Sequence, residues 1–224
     1  MKLYSLSKVI LSFQNNPGSF LNGLASNTID KPQNAFLNIH GRVIAAFEQL
    51  RLNDDEVVVV VEKPFVDEVL SHLERYAKLS GVKIQVLDEK VYFDLDSNVP
   101  LAEGDKVITH KKGRLLITKQ PLSTNISDEA FKLFRLKNNI PLHGVDFKDE
   151  MVLNINETDL ISFTKGCFLG QEPVSKVHSR SKPSRVLVVK FEDECTSEEA
   201  AKMTSKTLDP VTKRTLGFVF VSNR

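Results

Sequence analysis

The chain has 224 residues, enough for one large domain or two small ones with a core that needs no disulfide or metal to fold. Its 41% hydrophobic and 26% charged residues are those of an ordinary globular protein, and a net charge of +1 gives no support to a dedicated nucleic-acid binder. The 2 cysteines, far apart, exclude a disulfide scaffold; the 5 histidines lack the close spacing of a zinc site; and no apolar run approaches the ~20 residues of a membrane span or forms a leader. The expectation is a cytoplasmic protein with no metal, no nucleic acid and no membrane among its partners.

In chain order, alternating apolar residues predict strands over 35–39 and 43–47 around a turn at His40-Gly41-Arg42. Asn53-Asp54-Asp55 is a second turn, followed by a β-branched strand over 56–62. A helix over 64–79 has proline in its first turn, Phe65, Val66, Val69, Leu70, Leu73 and Ala77 on one face, and Gly81 as its stop. Strands over 84–87 and 91–95 flank Asp88-Glu89-Lys90, and another covers 115–118. A second helix over 128–138 is capped by Ser127 and carries Asp128 and Glu129 at the positive end of its dipole.

A strand over 185–191, a capping box at Thr196-Ser197-Glu198-Glu199 and a strand over 215–222 complete the series. Helices and strands interleaved with hairpin-like turns make the fold class α+β. The polar stretch Ser179-Arg180-Ser181-Lys182-Pro183-Ser184 suggests a boundary, giving a domain over 1–180 and a short β-rich segment over 181–224.

One stretch carries chemistry: Lys165-Gly166-Cys167-Phe168-Leu169-Gly170-Gln171-Glu172. Two glycines bracket a cysteine, a pattern that lets a loop present the thiol and turn backbone amides toward an anion. Lys165 is placed to favour thiolate, and Gln171 and Glu172 add hydrogen-bonding groups. The plain alternative is a small buried apolar cysteine, since His178 is the only histidine near it in sequence. Cys195 follows Glu192-Asp193-Glu194, which disfavours thiolate, and takes no role. Lys176, His178, Arg180, Lys182 and Arg185 form a basic run that reads as a solvated loop, or as a lure for an anionic ligand tail or an acidic client surface.

The string Lys165 to Glu172 resembles the signature of the YgfZ family, relatives of the glycine-cleavage T-protein. Asn38-Ile39-His40-Gly41-Arg42-Val43 resembles the family's strand–Gly–Arg–strand segment, and Ser26-Asn27-Thr28 its early serine–asparagine element. Arg135 to Gly144 resembles the arginine-led helix end and proline–glycine loop shared with T-proteins. The resemblance spans roughly residues 20 to 190.

It implies a T-protein/YgfZ-like folate-binding fold of two intertwined subdomains, with the C-terminal β-barrel shortened. The implied cofactor is tetrahydrofolate or a folate derivative, and the implied partners are folate and iron–sulfur client enzymes. Cys167 with Lys165 would be the working residues, and Asn27, Arg42, Gly166, Gly170, Gln171 and Glu172 the binding ones. Two departures stand out. Ala46 occupies the position of the transferase aspartate, and Lys137 that of a T-protein glutamate. Whether the chain is an enzyme stays open. The implied function is support of iron–sulfur cluster assembly or repair. A one-carbon transferase and a scaffold without folate are the alternatives.

Overall fold

Five consecutive valines, 57 to 61, are all buried, and their alternation sets the layering of the molecule. Val57, Val59 and Val61 face one apolar cluster and Val58 and Val60 another, as a strand covered on both faces requires. The structure, a computed structural model, describes residues 1–180 and 182–223.

The elements are β1 (Leu3–Leu6), β2 (Lys8–Gln14), α1 (Pro17–Leu24), β3 (Gln33–Leu37), β4 (Val43–Asn53), β5 (Glu56–Glu62), α2 (Val66–Ser80), β6 (Lys83–Leu87), β7 (Lys90–Asp94), β8 (Lys106–Thr109) and β9 (Arg114–Thr118). They continue with α3 (Asp128–Lys137), α4 (Gln171–Arg180), β10 (Arg185–Phe191), α5 (Ser197–Lys202), β11 (Thr204–Leu208) and β12 (Thr215–Ser222). The fold is α+β, built on antiparallel sheets ordered β3-β4-β5-β2-β6, β1-β7-β9-β8 and β10-β12-β11.

Helices α1 and α2 cover one face of the five-stranded sheet, burying Leu21, Leu24, Val69 and Leu73 against Leu11, Phe13 and Phe47. The four-stranded sheet and Phe131 of α3 cover the other. Strands β6 and β7, expected around a shared turn, lie in different sheets: β6 extends β2, while β7 inserts between β1 and β9. The 171–180 stretch is helical, so Lys176, His178 and Arg180 of the basic run stand on α4 and not in a loop. Pro173 suits its first turn and buried Val174 anchors it.

The C-terminal sheet leaves β10 and β11 as edges, so among the described residues it is an open sheet and not a closed barrel. Leu187, Leu216 and Phe218 of that sheet share one core with Leu37, Val43, Phe147 and Phe168. The expected boundary falls at Ser181, which lies outside the described residues. Arg135 ties α3 to this sheet: it donates to Asp146 (2.6 Å), the Ile140 carbonyl (3.0 Å) and Ser205 Oγ (2.8 Å). Among the described residues no helix is long and apolar enough to cross a membrane.

Candidate functional site

The Cys167 loop is stitched to the end of α1. Leu169 N–H donates to the Gly23 carbonyl (3.0 Å) and Ser162 N–H to that of Ser26 (3.0 Å). Lys165 Nζ donates to the carbonyls of Ala25 (2.6 Å) and Asn27 (2.9 Å) and lies 5.1 Å from the centre of the Phe168 ring. Two stretches 140 residues apart, each singled out in the sequence, therefore meet. Burial of Phe168 holds the loop down, and Cys167 stays exposed without a hydrogen-bond partner among the described residues.

Lys165 is turned toward backbone and not held in place by the thiol. Burial pulls its ammonium down to about 8. Asn27 is also occupied with backbone: Nδ2 donates to the carbonyls of Asp159 (2.7 Å) and Gln33 (3.2 Å), and Oδ1 accepts from Thr28 N–H (2.8 Å). Arg42 reaches outward to the Asp149 carbonyl, with its carboxylate 3.8 Å away. Gln171 opens α4 and bonds back through its N–H to Phe168 O (3.2 Å), while Glu172 is exposed in the first turn. Gly166 faces open space, whereas Gly170 packs against the β3–β4 turn. Within the basic run, Arg185 pairs with Glu150 and lies over Phe220, and His178 stacks on Phe163 at 3.7 Å.

A second constellation was not read from the sequence. Between the five-stranded sheet, the β8–β9 turn and the loop after α3 lies a cavity of about 50 Å³. Its wall includes Ala46 and, two residues on along the same face of β4, Glu48. Lys8 bonds Glu48 (2.8 Å) and its register partner Glu62 (2.9 Å), and His110 Nε2 lies 3.3 Å from Glu48. Lys111 pairs with Glu157 and with Asp159 (3.5 Å). The signal in the sequence was charge on otherwise apolar strands, at Lys8, Glu48 and Glu62.

Burial alone would raise the Glu48 carboxyl, but Lys8 and His110 prevail and hold it at about 2. Burial likewise opposes the charge on Lys8, and Glu48 and Glu62 overcome it and push the ammonium up. His143, in the same wall, is lowered to about 4 by burial, helped by Lys148 and Lys8, and is neutral at pH 7. Its ring stacks on Phe65 at 3.8 Å, and neither ring nitrogen has a partner among the described residues.

Outside this cavity lies an open basin of about 570 Å³, floored by the 158–164 loop that leads into the Cys167 motif. Gln33, His110 and Lys111 line both spaces and separate them. Lys137 lines neither; it reaches the C-terminal sheet and bonds Asp209 (3.0 Å). Among the described residues no three His, Cys, Asp or Glu side chains are gathered as a metal site requires.

No family model matches the chain. An uncharacterized protein from Haemophilus influenzae (strain ATCC 51907 / DSM 11121 / KW20 / Rd) is 21% identical over 156 residues, 66% of this chain and 56% of that protein. The chain thus spans little more than half the length of that relative. Among solved structures, the glycine cleavage system aminomethyltransferase T from Bartonella henselae matches with a TM-score of 0.74 at 14% identity, covering 99% of this chain and 78% of that one. The chain has a T-protein-like fold.

Proposed function

We propose that this chain binds a folate in its central cavity without transferring an aminomethyl group, and that Cys167 serves iron–sulfur cluster assembly or repair in client enzymes. The observation that carries the reading is the cavity wall. Ala46 stands where the resemblance puts the transferase aspartate, while buried polar atoms of His143 and Gln33 are left without partners.

The donor set fits a pterin. A 2-amino-4-oxo ring presents N–H groups to carboxylates and ring atoms to an imidazole or carboxamide. The cavity of about 50 Å³ has room for a few waters, each needing roughly 10–15 Å³, so a ring enters only as the wall moves outward. The adjoining basin of about 570 Å³ has the size to take the rest of the molecule. When bound, tetrahydrofolate supplies N5 and N10 as carriers of a one-carbon unit.

The chain's own residues argue for binding over transfer. Ala46 cannot orient or accept a proton, and the carboxylate nearest it along β4, Glu48, is held by Lys8 and His110. The iron–sulfur part of the reading rests on the resemblance of the Lys165–Glu172 string and on the free, exposed thiol of Cys167.

The test has two arms. Calorimetric titration with tetrahydrofolate should show saturable binding in wild type and in Cys167→Ser alike. Restoration of a cluster-dependent enzyme in cells lacking the protein should fail with Cys167→Ser. Absence of folate binding in wild type would leave the scaffold reading, and full activity of the serine variant would remove the role of the thiol.

A further inference from the structure

We infer that His143, with Gln33, is the specificity-determining hydrogen-bonding pair of the central cavity, and that it reads the edge of a flat, uncharged nitrogen heterocycle. The inference rests on the folate-binding reading and adds which residues select the ligand's ring.

Of the eight buried side-chain nitrogen and oxygen atoms without a partner among the described residues, three belong to these two residues: both His143 ring nitrogens and Gln33 Oε1. Both residues stand in the wall of one cavity. Folded proteins satisfy nearly all such atoms, so three orphans on two residues that wall one cavity mark it as the place where a hydrogen-bonding occupant would satisfy them. His143 is 6% exposed and fixed in plane by its stack on Phe65, with Phe147 on a further contact at 5.2 Å. Its ring therefore presents one donor and one acceptor in a set direction. Gln33 Nε2 is engaged by His110 at 3.2–3.3 Å, which leaves Oε1 as a fixed acceptor.

Charge narrows the class of ligand. The carboxylates of Glu48, Glu62 and Glu157 face Lys8, Lys111 and the His110 imidazole that helps hold Glu48 down, so the wall has no surplus of cations. An anion such as phosphate is disfavoured there, and a ring rich in N–H donors is favoured.

The test uses 6-methyltetrahydropterin, the ring without its tail, beside intact tetrahydrofolate, on wild type and His143→Phe. Phenylalanine keeps the stack on Phe65 and removes both nitrogens. The expected result is a loss of about tenfold or more in affinity for both probes. With no ligand, the melting temperature of the variant should be equal or higher, because two unsatisfied buried atoms are gone. A histidine that only holds the fold would show the opposite, a lower melting temperature. In parallel, the ¹⁵N signals of the His143 ring in wild type should shift on saturation with the pterin. Binding of tetrahydrofolate by His143→Phe as tight as wild type, or unmoved ring signals at saturation, would overturn the assignment while leaving the folate reading standing. Failure of wild type to bind either probe would overturn both.

Discussion

Gly41 and Gly170 face each other where the β3–β4 turn meets the Cys167 loop, and both sit in the left-handed region, at φ +72° and +82°. A methyl group on Gly170 would lie 2.3 Å from Asn38 O, and one on Gly41 2.7 Å from a Val174 methyl and 3.4 Å from Gly170 O. The two glycines let two backbones touch and so dock the motif onto the five-stranded sheet.

Gly170→Ala is expected to destabilise the protein by about 1–3 kcal/mol from backbone strain alone, with the clash on Asn38 adding to it. Gly166 has a clear space around its Cβ position, so Gly166→Ala should stay within about 0.5 kcal/mol of wild type. Urea unfolding of both variants checks the contrast. Equal losses at the two glycines would show that the loop is not docked as described.

Lys165 gives a pH signature. Its folded value of about 8 lies below the ordinary lysine value of 10.5. Below pH 8 the amine is protonated in both states, and burying the charge weakens the fold at full strength. Between pH 8 and 10.5 the folded state loses its proton first, so the unfolded state binds more protons and stability rises with pH. The melting temperature of wild type should therefore gain on that of Lys165→Met across this window. A constant gap between the two curves would mean that the ammonium is not desolvated against the Ala25 and Asn27 carbonyls.

How much was legible follows from where the information lay. Strand β5 announced itself through five valines, α2 through its apolar stripe and Gly81, and α5 through Thr196, whose capping box is present. These signals are local. Helix α4 was missed because its packing rests on one fully buried residue, Val174, among polar neighbours. The separation of β6 from β7 was invisible because both are short strands whose partners, β2 for one and β1 and β9 for the other, lie far off in sequence. The Cys167 string could be read as a motif, yet its docking depends on Gly23, Ala25 and Asn27. The cavity was hidden for the same reason: Lys8, Gln33, Glu48, His110 and His143 come from five separate segments, and only the fold brings them together.

Arg135 is a structural counterpart to these site residues. It is 3% exposed and its guanidinium is shared between Asp146, Ser205 and the Ile140 carbonyl. Arg135→Met leaves Asp146 buried, still bonded by Thr204 (2.9 Å), Ser205 (2.5 Å) and the Leu142 N–H (2.8 Å) but without its cation. The expected loss is about 3–5 kcal/mol, as for other broken buried pairs. The double variant Arg135→Met/Asp146→Leu should recover part of it. Thermal unfolding of the two variants measures the difference, and a double variant no better than the single would show that the pair is not the tie between α3 and β11.

Lys8 holds the cavity wall, and its removal is the most informative single change there. The side chain is 4% exposed and shared by Glu48 and Glu62; without it Glu62 loses its counter-charge and Glu48 keeps the contact with His110 at 3.3 Å. Lys8→Met is expected to cost about 3–5 kcal/mol at pH 7. The loss should shrink in acid. Glu48 is held at about 2 in the folded protein against an ordinary glutamate value of 4.5, so the stability it contributes is complete above pH 4.5 and is lost as pH falls toward 2. Wild type should therefore lose stability steeply from pH 4.5 downward. Lys8→Met, which has no ammonium to hold the carboxyl down, should titrate at a higher pH and with less further loss. Parallel urea titrations at pH 7, 4.5 and 3 decide the matter, since two curves of the same slope would place Glu48 outside the field of Lys8.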